Sequence, residues 1–165
     1  MIIDIEAPNP IPDQYKCWPR LFLAGSIEMG VAENWQSKVI DDLKKLNFKH
    51  DLVILNPRRK DWDSSWKQDI SNPQFNEQVN WELDMIQESD LTVFYFDLNT
   101  KSPVSLMELG YVVGKSKMGI VYCPDGFWRK GNVDIMVNKT RGKLLAVFTY
   151  QSFVNCIKYY FNINE

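Results

Sequence analysis

Apolar residues concentrate in short continuous runs at 20–24 (RLFLA), 51–55 (DLVIL), 91–97 (LTVFYFD), 118–122 (MGIVY) and 144–148 (LLAVF). A strand covered on one face alternates in polarity, whereas one covered on both runs apolar throughout, so these segments predict a parallel sheet. Between them apolar positions recur at helical spacing: Trp35, Val39, Ile40, Leu43 and Leu46 within 32–46, and Phe75, Val79, Leu83 and Ile86 within 75–88. Residues 103–115 open on Ser102-Pro103, a good N-cap and first-turn pair, and 150–161 are aromatic and apolar. The alternation predicts an α/β architecture, a five-stranded, mostly parallel sheet with helices on both faces. In such sheets ligands bind beyond the carboxyl ends of the strands. Residues 1–19 carry Pro8, Pro10, Pro12 and Pro19 without periodicity and read as an extended arm, leaving 20–165 as a single domain.

Composition narrows the classes. The chain has 165 residues, with 19 Lys plus Arg against 21 Asp plus Glu and a net charge of −2. That excludes the basic field a duplex nucleic acid demands. No apolar run reaches the ~18–20 residues that span a bilayer, and the first residues have no basic n-region, so a soluble, cytoplasmic protein without a membrane partner is expected. Cys17, Cys123 and Cys156 are odd in number and lack metal-site spacing, and are read as reduced thiols. His50 is the single histidine, so neither a Ser-His-Asp triad nor a histidine metal cluster can be assembled. Aromatic residues reach 13%, and Trp62, Trp66 and Trp128 stand in polar, loop-like sequence, which points to a planar ligand.

Two carboxylates stand out against this background. On a helical wheel for 75–88 with Phe75 at zero, Val79 falls near ~40°, Leu83 near ~80° and Ile86 near ~20°. Glu82 falls at about −20°, inside the apolar stripe. An inward carboxylate without a partner would cost on the order of several kcal/mol. It therefore needs a neighbour such as Arg58 or Arg59, a shifted pKa, or a chemical task. The helix after Ser102 is apolar nearly all round, and Glu108 is its only charge before Lys115. A helix apolar on every side is buried, so Glu108 is expected to be desolvated with a raised pKa or a strong partner. It lies about 9 Å along the axis from the cap, near the ligand crevice. Two such carboxyls can serve as nucleophile and acid/base, or can orient a sugar.

Other segments carry weaker signals. Ala24-Gly25-Ser26-Ile27 is a glycine-bearing turn where backbone can approach a ligand, but it is neither GxGxxG nor a Walker loop, so no dinucleotide or ATP cofactor is implied. The stretch from Asn56 to Trp66 is either a solvated surface loop or a lid whose indoles stack on a base.

The stretches FLAGSIEMG, NPRRKDWDSSW, NPQFNEQVNWELDMIQESDLTVFYF, SPVSLMELG and CPDGFWRKGNVDI, taken in order, resemble the nucleoside 2-deoxyribosyltransferase-like proteins and the related deoxynucleoside monophosphate N-glycosidases. The resemblance covers roughly 20–136. It implies a flavodoxin-like fold, no cofactor and no metal. The implied substrate is a small-molecule nucleoside or nucleotide, cleaved at the bond between base and sugar. It lands the nucleophile on Glu108 and the acid at the departing base on Glu82. Substrate contacts fall to Phe22, Gly25, Ser26, Arg58, Trp62, Asp63, Trp66, Ser102 and Ser105. It also implies that Asn132 and Asp134 reach into a neighbouring subunit's site to hold the sugar 5′ end, so that a homodimer or larger homo-oligomer is the working unit. Ser102 stands where the transferases carry a sugar-contacting aspartate and the monophosphate glycosidases a phosphate-binding serine, Phe22 where the family carries a tyrosine, and Glu28 where the monophosphate glycosidases carry an arginine. A carboxylate at position 28 would repel a phosphate at close range. Deoxyribosyl transfer, hydrolysis of a nucleoside or nucleotide, and non-catalytic nucleotide binding all draw on the same residues. A flavin-dependent electron carrier would rest on fold analogy alone.

Overall fold

The computed structural model of the chain describes residues 1–28 and 31–163; Met29 and Gly30, at the end of the FLAGSIEMG stretch, lie outside them. In chain order the elements are β1 (Ile2–Glu6), β2 (Arg20–Gly25), α1 (Trp35–Lys44), β3 (Leu52–Asn56), α2 (Pro73–Glu88), β4 (Leu91–Tyr95), α3 (Pro103–Gly114), β5 (Gly119–Tyr122), α4 (Lys130–Lys139), β6 (Leu144–Val147) and α5 (Tyr150–Ile163). The strands form one parallel sheet in the order β1-β3-β2-β4-β5-β6. Without the edge strand β1 this is the flavodoxin-like order, with its switch point between β2 and β4.

Side-chain parity along the strands divides the core. Leu21, Leu23, Ile54 and Val93 pack with Trp35, Val39 and Leu43 of α1 and with Phe153 and Ile157 of α5. Phe22, Ala24, Leu55 and Phe94 face the other way, toward Trp81 and Ile86 of α2, Leu109 and Val112 of α3, and Val133 and Val137 of α4. Both faces are therefore covered, which is why the central strands lack alternation.

The sheet has a sixth strand where five were expected. Ile2–Glu6 pairs in register with Leu52–Asn56, and Ala7 N–H extends the ladder to the Asn56 carbonyl at 2.9 Å. As an edge strand β1 is only partly covered and shows no continuous apolar run; the prolines that follow mask it further. α4 was likewise not anticipated, because only Val133 and Val137 of its ten residues are buried. α3 departs from the expected full burial: Ser105, Glu108, Leu109 and Val112 face inward, while Val104 is 57% and Met107 74% exposed.

Candidate active site

The crevice opens where β2 and β4 end side by side. Gly25 closes β2 at φ 143°, and a Cβ there would lie 2.3 Å from the Tyr95 carbonyl oxygen. Only glycine permits that approach of the two strand ends. Beyond it lies a cavity of about 900 Å³ whose wall includes Gly25, Arg58, Trp62, Glu82, Ser105 and Glu108.

α2 and α3 each deliver one carboxyl to this cavity. Asn72 caps α2, its side chain accepting from Gln74 N–H at 3.1 Å and Phe75 N–H at 3.2 Å. Pro73 then fixes the first turn. This starts α2 two residues earlier than periodicity indicates and turns Phe75, Val79 and Glu82 toward the cavity. Burial pushes the Glu82 carboxyl up to about 7, against a hydrogen bond from Gln78 that favours its ionised form. Glu108, 8% exposed, is pushed well above the ordinary range, by burial and then by the charge of Glu82. The expected arginine partners serve elsewhere. Arg59 binds Asp61 at 2.6 Å and Glu77 at 3.3 Å. Arg58 donates to the Glu33 carbonyl (3.0 Å), Gln36 Oε1 (3.1 Å) and the Ala32 carbonyl (3.3 Å). Two mutually repelling carboxyls without a cation hold at least one proton between them at neutral pH. Such a pair can release a proton at one carboxyl and present negative charge at the other.

The floor near α3 is a knot of hydroxyls. Ser26 Oγ lies 2.5 Å from Ser102 Oγ and 2.8 Å from Thr100 Oγ1, and it accepts from Asp97 N–H at 2.9 Å. Thr100 Oγ1 and Ser102 Oγ are 2.8 Å apart. Ser26 is fully buried and braces Ser102, which does line the cavity. Ser102 is the N-cap of α3, as expected, but adopts φ 48° and makes no side-chain capping bond. Glu28 supplies the cap instead, accepting from Lys101 N–H at 2.5 Å and from Ser102 N–H.

The 57–72 loop closes another side. Trp62, Ser64 and Gln68 reach the cavity wall. Trp66, expected to contact substrate, is not itself on the wall; it stands edge-on to Trp62 with ring centroids 5.1 Å apart, and the Arg59 guanidinium lies 5.1 Å from the Trp66 ring. The Arg59 side chain is only 8% exposed, and its bonds to Asp61 and Glu77 tie the loop to α2. At the loop's start, Glu6 of β1 accepts from Lys60 N–H at 3.0 Å and pairs with Lys60 Nζ at 2.9 Å.

Several expected contacts are not on the cavity wall. Phe22 is fully buried below it, with its ring 6.2 Å from that of Trp81. Asp63 caps Ser65 N–H at 2.8 Å on the exposed side of the loop. Asn132 is exposed on α4, and Asp134 accepts from Lys130 Nζ at 2.9 Å. Sequence reasoning missed Gln78, Thr100 and the capping role of Glu28. Gln78 was within reach of it, four residues before Glu82 on one helix face. The Glu28 cap, 74 residues from Ser102, left no local signal.

Among the described residues no cluster of metal-ligating side chains occurs, and no helix is long and apolar enough to cross a membrane.

No curated protein matches the chain. Among solved structures it matches that of the CMP N-glycosidase BcmB from Clostridium botulinum, with a TM-score of 0.50 at 16% identity, over 86% of this chain and 99% of that one. That likeness concerns the fold. The family described as nucleoside 2-deoxyribosyltransferase like matches residues 18–127, a span that runs from the start of β2 to the loop after β5 and contains both carboxyls. The chain belongs to the nucleoside 2-deoxyribosyltransferase-like family.

Proposed function

We propose that this protein is an enzyme that breaks the N-glycosidic bond of a (deoxy)nucleoside through a glycosyl-enzyme on Glu108. The observation that carries the reading is the pair of cation-free carboxyls, Glu82 and Glu108, in the wall of one cavity. Family membership and the CMP N-glycosidase named among its structural neighbours support the same bond.

The chemistry follows from one shared proton. For attack, the proton resides on Glu82 beside the base, which leaves Glu108 as the carboxylate. A Glu108 oxygen forms a bond to the anomeric carbon as the bond from that carbon to the base nitrogen breaks. The departing base takes the Glu82 proton, and the sugar is held as an ester. A second base or a water molecule then attacks the anomeric carbon, gives its proton to Glu82 and restores the Glu108 carboxylate. Trp62 and the apolar side chains of Phe75 and Val79 offer a planar base a surface to stack on. Transfer and hydrolysis differ only in whether water reaches the ester.

Incubation with deoxynucleosides and a second free base, followed by chromatography, should yield an exchanged nucleoside, or free base if water is the acceptor. Glu108→Gln should lower turnover by at least about 10³-fold while ligand still raises Tm. Intact-protein mass spectrometry of a slow substrate should show one added sugar, mapped to Glu108. Failure of every common and modified base, as nucleoside or monophosphate, to react with the wild type would sink the enzymatic reading. A ligand that raised Tm without turnover would then favour a binding module.

A further inference from the structure

Glu28 follows the turn after β2 in a left-handed conformation, φ 38°, and lines the cavity together with Ser102, Ser105 and Glu108. Its carboxylate accepts hydrogen bonds from the N–H groups of Lys101 and Ser102, where the N-terminus of α3 would otherwise hold an anion. Lys101, the cation closest in sequence to this cap, also lines the cavity, but its ammonium lies over the Trp128 ring, 5.6 Å from the centroid, and the bonds to Glu28 come from backbone. A negative charge is thereby built into the cavity wall at the start of α3, six residues before Glu108.

Resting on the N-glycosidic reading above, we propose that Glu28 is a specificity-determining residue that admits substrates ending in a free 5′-hydroxyl and rejects their 5′-phosphates. With the base against Glu82 and the anomeric carbon at Glu108, the remaining part of the sugar runs along α3 toward Ser102 and Glu28, about 9 Å from Glu108 along the helix axis. A hydroxyl there donates to a carboxylate oxygen. A phosphate meets a like charge in a partly dry cavity, where repulsion is stronger than in water, and the N–H groups that would bind it are already engaged.

The test compares 2′-deoxynucleosides with their 5′-monophosphates as substrates of the wild type and of Glu28→Gln, which keeps an oxygen for the Lys101 and Ser102 N–H groups. Wild type should favour the nucleoside by at least tenfold in kcat/KM, and Glu28→Gln should narrow that ratio by at least fivefold. Glu28→Ser supplies a second neutral variant should Glu28→Gln melt early. A preference for monophosphates in the wild type, or a ratio unmoved in both variants, overturns the proposal. The same ligands are also titrated in thermal-shift assays with wild type and Glu28→Gln. Nucleoside-selective stabilisation that relaxes in Glu28→Gln, without cleavage, would uphold the role of Glu28 while defeating the enzymatic reading. Equal stabilisation by both ligand classes, or none by either, in the absence of cleavage overturns the role of Glu28 as well.

Discussion

Gln78 donates one amide hydrogen to Glu82 Oε1 at 2.8 Å and the other to the Pro57 carbonyl at 2.9 Å. Because a carbonyl can only accept, the amide nitrogen is fixed on this side. Gln78 thus spans the end of β3, the root of the 57–72 loop and the carboxyl assigned to the departing base. It is a positioning residue, and its donation lowers the Glu82 pKa against the push of burial. Gln78→Leu should therefore move the alkaline limb of the kcat profile, set by loss of the shared proton, to higher pH. A fall in kcat at all pH values with an unmoved limb would show that Gln78 only packs.

Stability should depend on pH with a particular sign. Carboxyls raised on folding bind more protons in the native than in the unfolded chain, so their favourable contribution is full below the ordinary value and lost as pH rises through the raised one. For Glu82 that window runs from 4.5 to about 7, which corresponds to roughly 3 kcal/mol. Wild-type Tm should fall between pH 5 and pH 8. Glu82→Gln, neutral throughout, should be several degrees more stable than wild type at pH 8, at roughly 2–4 °C per kcal/mol, with the gap closing at pH 5. Calorimetry across that range decides the matter; parallel curves would mean that Glu82 is ordinary in the native state.

These two acids were the most legible part of the site. Glu82 betrayed itself by falling beside Phe75, Val79 and Ile86 in an apolar stripe, although Leu83 of that stripe is exposed and Trp81 and Met85 enter the core in its place, and Glu108 by being the lone charge on a helix otherwise rich in Val, Leu and Met. Local periodicity carries that information, and the central strands were legible for the same reason. Residues joined across long separations were not: the Ser26–Thr100–Ser102 knot and the Glu28 cap exist only once β2 and β4 lie side by side. β1 was missed because an edge strand needs no continuous apolar run, and α4 because two buried valines leave little periodic signal. Phe22 shows the limit of a resemblance, since a position carried over by motif lies below the cavity rather than on its wall.

The loop bearing Trp62 should govern affinity more than chemistry. Base–aromatic stacking contributes about 1–3 kcal/mol, so Trp62→Ala should raise KM by roughly 5–100-fold with a smaller change in kcat. Arg59→Ala, which frees Asp61, Glu77 and the Trp66 face, should have the same kinetic signature at a distance from the reacting atoms. Steady-state kinetics on both variants would refute a lid role if kcat alone fell.

Met107 on α3 and Ile135 on α4, 74% and 64% exposed, give the outer surface an apolar character that fits self-association. We expect a homo-oligomer in solution, with Asn132 and Asp134 of α4 near the subunit boundary. Light scattering coupled to size-exclusion chromatography should show at least a dimer, and Met107→Lys should shift it toward monomer. A monomeric, fully active wild type would remove any need for α4 in the site.

The bonds between Glu6 and Lys60 link the first strand to the root of the tryptophan loop. Loss of residues 1–6 would leave the carboxyl pair in place, bare the rim of β3 and remove one of the two fastenings of the aromatic cover, the other being Arg59 on Asp61 and Glu77.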